Sequence, residues 1–187
     1  MSKRVFDFLV TLALGSILFP VIVLIAIMVR LTSSGPSLHW SKRMGRNNKI
    51  FNMPKFRTMR VDAPQIATHL MPDPEIYITP VGSILRKSSL DELPQLWSIF
   101  IGEMSFVGPR PALYNQEDLV ALRTEWGVHR LRPGLTGWAQ INGRDELPIP
   151  IKVEYDVEYL RRRSFWFDFY ILSVTLLKVS KREGVKH

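Results

Sequence analysis

The chain has no cysteine, so disulfides and thiolate metal centres are excluded, which is compatible with a reducing, cytosol-facing location. Histidine is scarce and scattered. His39, His69, His129 and His187 show no spacing that would gather them around a metal. There are no internal repeats and no low-complexity tract. Charge is missing altogether from Phe8 to Val29, an apolar run interrupted only by Thr11, Gly15, Ser16 and Pro20. At about 1.5 Å per residue that run is long enough to cross the ~30 Å hydrocarbon core of a bilayer. It exceeds a secretory h-region, and no small-x-small cleavage site follows, which disfavours a signal peptide.

What is present is an excess of positive charge. The 187 residues carry 25 Lys and Arg against 17 Asp and Glu, a formal +8. That excess attracts polyanions. Beside an apolar anchor it points to anionic lipid or phosphorylated metabolites; nucleic acid is disfavoured, since no recognition motif accompanies the charge. The length suits a single domain with its own core.

Topology stays open at the level of the residues. Pro20 cannot donate to the Ser16 carbonyl and predicts a kink, with the Ser16 hydroxyl placed to repair freed backbone groups. Lys3 and Arg4 precede the apolar run, and Arg30, Lys42, Arg43 and Arg46 follow it. Basic residues on both sides give the positive-inside rule no direction, as for a segment that enters and returns. A proline-kinked span satisfies the same pattern.

Beyond Leu31–Pro36, where the composition suggests a membrane exit, residues 49–59 read as extended, with Pro54 at an edge or bend. Residues 60–73 read as a surface loop. Thr79-Pro80 predicts a capped helix through Leu85. Around Asp91, either Ser89 and Glu92 form a capping box or Pro94 opens the next helix. Both place Asp91 and Glu92 at a helix start, a favourable place for phosphate. Residues 116–126 predict an amphipathic helix. The aromatic-rich stretch 165–179 predicts an interfacial helix, with a core helix as the competing reading.

The polar block Arg86–Pro111 holds the candidate chemistry. Arg86 and Lys87 precede the Asp91-Glu92 pair, and Pro109-Arg110-Pro111 follows. Carboxylates among guanidinium groups suit phosphoryl chemistry: one acts as nucleophile or metal ligand while arginines bind oxygens bidentately. Two adjacent carboxylates also suit one Mg²⁺, which takes few protein ligands. A surface ion-pair network is the plainer alternative.

These strings, in this order, resemble the bacterial sugar transferase family, the monotopic phosphoglycosyl transferases. The resemblance rests on Lys3-Arg4-Val5-Phe6-Asp7, Gly35-Pro36, Arg43-Met44-Gly45 and Lys55-Phe56-Arg57-Thr58-Met59. It continues through residues 86–96 (RKSSLDELPQL), 102–111 (GEMSFVGPRP), 132–140 (RPGLTGWAQ), Asn142-Gly143-Arg144, and Tyr155-Asp156 with Tyr159. It implies an α+β, helix-rich fold: a re-entrant membrane helix broken at Pro20 (residues 1–34), then a cytosolic catalytic domain with amphipathic interfacial helices (residues 35–187). It also implies transfer of a sugar 1-phosphate from a UDP-sugar to undecaprenyl phosphate at the cytosolic face of a bacterial inner membrane.

In that resemblance Asp91 is the nucleophile, and Glu92 with Asp91 holds Mg²⁺. Lys55, Arg57, Arg86, Arg110, Pro111, Gln140 and Arg144 become substrate-binding candidates by motif position. Three departures stand out: Phe19 before Pro20 where Ser is usual, His39-Trp40-Ser41 before Arg43, and Ser98 in place of Asn. With no multi-span region ahead of the motifs, the chain is expected to be the minimal catalytic form. The non-enzymatic alternative is a single-span scaffold with a basic cytosolic face.

Overall fold

The computed structural model describes residues 3–64, 71, 73–143 and 147–180. An apolar sequence without helix breakers except Pro20 folds as one helix, α1 (Lys3–Thr32), about 45 Å long at the standard rise. Helical structure continues through Pro20. Because proline has no N–H, the Ser16 carbonyl loses its usual donor. The Ser16 hydroxyl does not repair this: it donates to the Leu12 carbonyl at 2.9 Å, a back-bond of the kind that bends helices.

Near each end α1 buries one face, through Asp7 and Thr11 and through Ile25 and Val29, and between them it buries none. Near the start, the Arg4 guanidinium donates to the Ile99 and Phe100 carbonyls, and Lys3 pairs with Asp168. Asp7, 1% exposed, accepts from the Phe106 amide at 3.3 Å. Near the other end, Ile25 and Val29 pack with Phe56 and Leu85. The Ser37 hydroxyl donates to the Ala26 carbonyl at 2.9 Å. Between them Leu12, Ile17, Phe19 and Leu24 stand exposed, Ile17 at 71%.

A hairpin follows. β1 (Leu38–Met44) runs antiparallel to β2 (Ile50–Phe56), in the register Leu38↔Phe56 to Met44↔Ile50. Asn47 and Asn48 adopt positive φ in the turn, as short polar side chains tolerate. Pro54 lies opposite Trp40 on β2, which pairs with β1 on one side, so the extended reading with Pro54 on an edge strand holds.

Thr79 caps α2 (Pro80–Ser88), accepting from the Gly82 amide at 2.9 Å, with Pro80 in the first turn. Gly82 has no alternative, because a Cβ there would sit 2.0 Å from the Thr58 carbonyl oxygen. Ser89 ends α2 in the left-handed region, which rules out the capping box. A 3₁₀ turn, Leu90–Glu92, carries the acidic pair, and Pro94 leads in helical conformation into α3 (Gln95–Ile101).

β3 (Ser105–Val107) pairs in parallel with β4 (Gly134–Thr136). The strands approach so closely that a Cβ on Gly134 would lie 2.1 Å from the Gly108 nitrogen. The remaining helices are α4 (Glu117–Glu125), α5 (Trp138–Ile141), α6 (Ile149–Arg162) and α7 (Phe165–Ser180). The main core joins Phe51 and Met53 of β2 to Leu96, Ile99, Phe106, Tyr159, Phe167 and Ile171. One face of α7 is thus a core helix, and its other face is apolar and exposed. Phe167, Asp168 and Ile171 are buried, while Trp166, Phe169, Tyr170, Leu176 and Leu177 are exposed. The architecture is helix-rich α+β, with an N-terminal helix compatible with a monotopic membrane protein.

Candidate active site

The Asp91-Glu92 pair lies on its 3₁₀ turn between α2 and α3, facing the end of β2. Short-range sequence dictates this arrangement. Ser89 reverses the chain at the end of α2, and Pro94 forces a fresh helical start, leaving the two acids no room to join either helix.

Asp91 is buried, 7% exposed. Arg86, one turn from the end of α2, is close enough for the Asp91 charge to act on it. Burial lowers the Arg86 pKa and Asp91 opposes that shift by favouring the cation. The Arg86 Nε donates to the Thr58 hydroxyl at 2.9 Å, which ties α2 to the strand exit. Glu92 is held by two cations. Lys55 Nζ lies 2.7 Å from its Oε1 and Arg110 Nη2 lies 3.7 Å from the same oxygen. Across the hairpin His39 stands opposite Lys55, and its pKa is lowered by partial burial and then by Arg43 and Lys55, a sign of the positive potential in this corner.

Arg110 owes its position to Arg123, which motif reading did not single out, and to Asp156, which it named without a role. Arg123 of α4 donates through Nη1 to the Arg110 carbonyl at 2.8 Å. Its Nε and Nη2 donate to Asp156 Oδ2 of α6 at 2.9 and 2.6 Å. Burial pushes the Asp156 carboxyl up, and Arg123 counters it. The available signal was an arginine four residues after Leu119 on the buried face of a short helix. Pro111 is fixed likewise, its carbonyl accepting from Arg43 Nη1 at 3.2 Å.

Thus Lys55, Arg86, Asp91, Glu92 and Arg110 converge. Arg57 instead points to the end of α1, where its Nη2 donates to the Ser33 carbonyl and hydroxyl at 2.9 and 2.7 Å. Gln140 is buried in α5, its amide Oε1 against Gly137, where a Cβ would come within 2.5 Å of it. Arg144 lies outside the described residues. Among the described residues no three His, Cys, Asp or Glu side chains gather, and the dyad offers a cation two adjacent carboxylates from that set.

Residues 1–182 match the model of the bacterial sugar transferase family. The chain is 40% identical to the Uncharacterized sugar transferase EpsL of Bacillus subtilis, over 98% of this chain and 90% of that protein. It is 38% identical to the Undecaprenyl-phosphate glucose phosphotransferase of Komagataeibacter xylinus, over 94% of this chain but only 35% of the relative. A UDP-glucose:undecaprenyl-phosphate glucose-1-phosphate transferase of Escherichia coli is also 38% identical, with 94% of this chain and 39% of the relative covered. The shared portion is the part that carries the acidic dyad and the apolar helix. With this coverage and these motifs in order, the chain is a transferase and belongs to the bacterial sugar transferase family.

Proposed function

We propose that the protein transfers a sugar 1-phosphate from a UDP-sugar to undecaprenyl phosphate through a phosphorylated Asp91. An Asp91 carboxylate oxygen attacks the sugar-bearing phosphorus of the donor, and the bond to the UMP oxygen breaks. An oxygen of undecaprenyl phosphate then attacks the same phosphorus and Asp91 leaves with its electron pair. The products are UMP and undecaprenyl diphosphate sugar. Splitting the transfer in this way lets one site serve a soluble donor and a lipid acceptor in turn. The observation that carries the reading is the dyad itself, a buried Asp91 beside a Glu92 clamped by Lys55 and Arg110.

The donor set fits Mg²⁺, which takes one or two carboxylates and completes its shell with phosphate oxygens and water. Glu92 and Asp91 would hold it, and it would neutralise the donor diphosphate as charge develops on the departing UMP. Lys55 and Arg110 hold Glu92 in place, and Arg86 supplies a cation beside Asp91. Arg57, at the end of α1, is better placed for the acceptor phosphate arriving with the membrane than for the nucleotide.

The exposed apolar middle of α1 belongs in lipid. A helix with both ends packed on one domain is consistent with a segment that enters and leaves the bilayer by the same face, bent near Pro20. On this reading the catalytic domain rests on the cytosolic face of a bacterial inner membrane. Lateral confinement then supplies much of the positioning of the acceptor.

The test uses the purified chain, UDP-glucose labelled in the glucosyl group, and no acceptor. Label should remain on the protein with equimolar UMP release, and Asp91→Asn should abolish both. If UMP release is the same in Asp91→Asn, the mechanism is wrong; if neither form releases UMP from any UDP-sugar in a panel, the scaffold reading gains.

A further inference from the structure

A cleft of about 250 Å³ lies where the start of α1 meets the corner between α6 and α7, formed by residues none of which belongs to the dyad site. Its polar wall is Lys3, Arg163, Ser164 and Asp168, and its apolar wall is Phe6, Phe165 and Phe169. We propose that this cleft binds the headgroup of a monoanionic phospholipid, whose acyl chains run along the exposed faces of α1 and α7. The proposal rests on the reading that α1 lies in a membrane, and goes beyond it by naming a site and a headgroup chemistry.

The volume is that of roughly eight liquid waters, enough for a phosphodiester headgroup but not for a whole lipid. The wall chemistry selects its charge. Asp168 is 8% exposed and already engaged, accepting from the Tyr159 hydroxyl at 2.7 Å and pairing with Lys3. Lys3 remains 43% exposed at its side chain, so its ammonium has donors to spare for a second partner. Lys3 and Arg163 against Asp168 leave one net positive unit, which a phosphodiester neutralises. A polyprenyl phosphomonoester, with charge nearer −2 at neutral pH, is a poorer match.

The backbone adds to this. Ser164 and Phe165 open the sixteen-residue α7, whose first N–H groups and positive dipole end favour an anion. Ser164 already caps this end, its hydroxyl accepting from the Phe167 amide at 3.2 Å.

The tail has a path as well. Phe6 meets Phe165 edge to face at 5.5 Å, and Val5, Leu9, Trp166 and Tyr170, on the same two helices as the apolar wall, are exposed. Aromatic side chains beside the basic run Arg161–Arg163 are the composition of a headgroup boundary. Two independent features, a charged concave wall and an apolar exposed continuation, thus ask for the two halves of one amphiphile.

The experiment uses the full chain, delipidated in detergent and titrated with short-chain phosphatidylglycerol, with bound lipid counted by native mass spectrometry. Saturable binding of one lipid is expected, weakened at least tenfold in Arg163→Gln and further in Arg163→Glu. Arg161→Gln, two residues earlier in the last turn of α6 and outside the cleft, should stay within twofold. Arg163 is exposed and is not part of the Lys3–Asp168 pair, so these variants should keep the wild-type melting temperature.

Equal losses in Arg161→Gln and Arg163→Gln would mean diffuse surface attraction and would overturn the site. So would the absence of saturable binding. A short-chain polyprenyl phosphate whose binding depends on Arg163 more than phosphatidylglycerol does would reassign the cleft to the acceptor and overturn the headgroup claim. Flotation with phosphatidylglycerol vesicles separates the two levels of failure. Variants that float without Arg163-dependent binding sink the cleft alone, whereas a wild-type chain that does not float sinks the membrane reading beneath it.

Discussion

Asp7 and Val29 occupy opposite ends of one helix, some 33 Å apart at the helical rise, yet both are buried against the same domain, Asp7 on the Phe106 amide and Val29 beside Phe56 and Leu85. A straight span carries its two ends to opposite sides of a bilayer and cannot make both contacts with a domain on one side. Cysteines placed at Ser2 and Ser34 in this cysteine-free chain should therefore both react with an impermeant maleimide from the cytosolic face only. Reaction of the two positions from opposite faces would restore the spanning helix. Ser34 is preferred to Ser33 because Ser33 accepts from Arg57.

The Lys55–Glu92 contact makes a prediction about coupling. Both side chains are about one-fifth exposed, so solvent screens the pair only in part. Lys55→Met should lower the turnover of UDP-sugar by about tenfold or more, because Glu92 loses the cation that aims it. Lys55→Met and Glu92→Gln together should cost much less than the sum of the two single changes, with a coupling of about 1–2 kcal/mol in a double-mutant cycle. Additive losses would show that the two residues act independently, leaving Lys55 as a surface cation.

How much of this was readable beforehand depends on the range of the interaction involved. The Thr79 cap is local and residue identity alone located it, while the same local signals narrowed Pro54 to an edge or a bend and Pro94 to one of two helix starts. Ser89 was ambiguous because a capping-box pattern and a left-handed helix end are both compatible with serine; the following Pro94 and the close fit of Gly82 on Thr58 decide it, and only the second requires the fold. The role of Lys3-Arg4-Val5-Phe6-Asp7 was invisible, since its partners Asp168, Ile99, Phe100 and Phe106 come from three distant elements. Arg57 was grouped with Lys55 because both belong to the motif Lys55-Phe56-Arg57-Thr58-Met59. The strand ends between them at Phe56, and Arg57 turns to Ser33 instead.

Gly82 offers a stability test. A methyl group there meets the Thr58 carbonyl at 2.0 Å, and backbone cannot yield as a flexible side chain does. Gly82→Ala should push α2 off the strand exit and strain the Thr79 cap and the Arg86–Thr58 bond together. Overpacking of this kind costs about 1–3 kcal/mol, so a clear drop in the midpoint of thermal unfolding in detergent is expected. Gly127→Ala is a useful contrast: it has open space around its Cβ but positive φ, and should cost only about 1 kcal/mol. An unchanged midpoint for Gly82→Ala would mean that α2 does not rest on Thr58.

The buried Arg123–Asp156 pair reaches the chemistry through Arg110, and that route can be separated from plain structural support. Arg123→Met leaves Asp156 buried and uncompensated, which for a pair this enclosed costs about 3–5 kcal/mol of stability. Adding Asp156→Leu removes the stranded charge and should restore most of the melting temperature, since apolar replacement of a buried pair is often neutral. It cannot restore the bond from Arg123 Nη1 to the Arg110 carbonyl, so the stable double variant should still turn over slowly. Arg123→Lys keeps a charge near Asp156 but loses the planar fork that also reaches Arg110, and should resemble the double variant in rate. If the double variant regains full turnover along with its stability, the pair serves packing only, and Arg110 finds its place beside Glu92 without it.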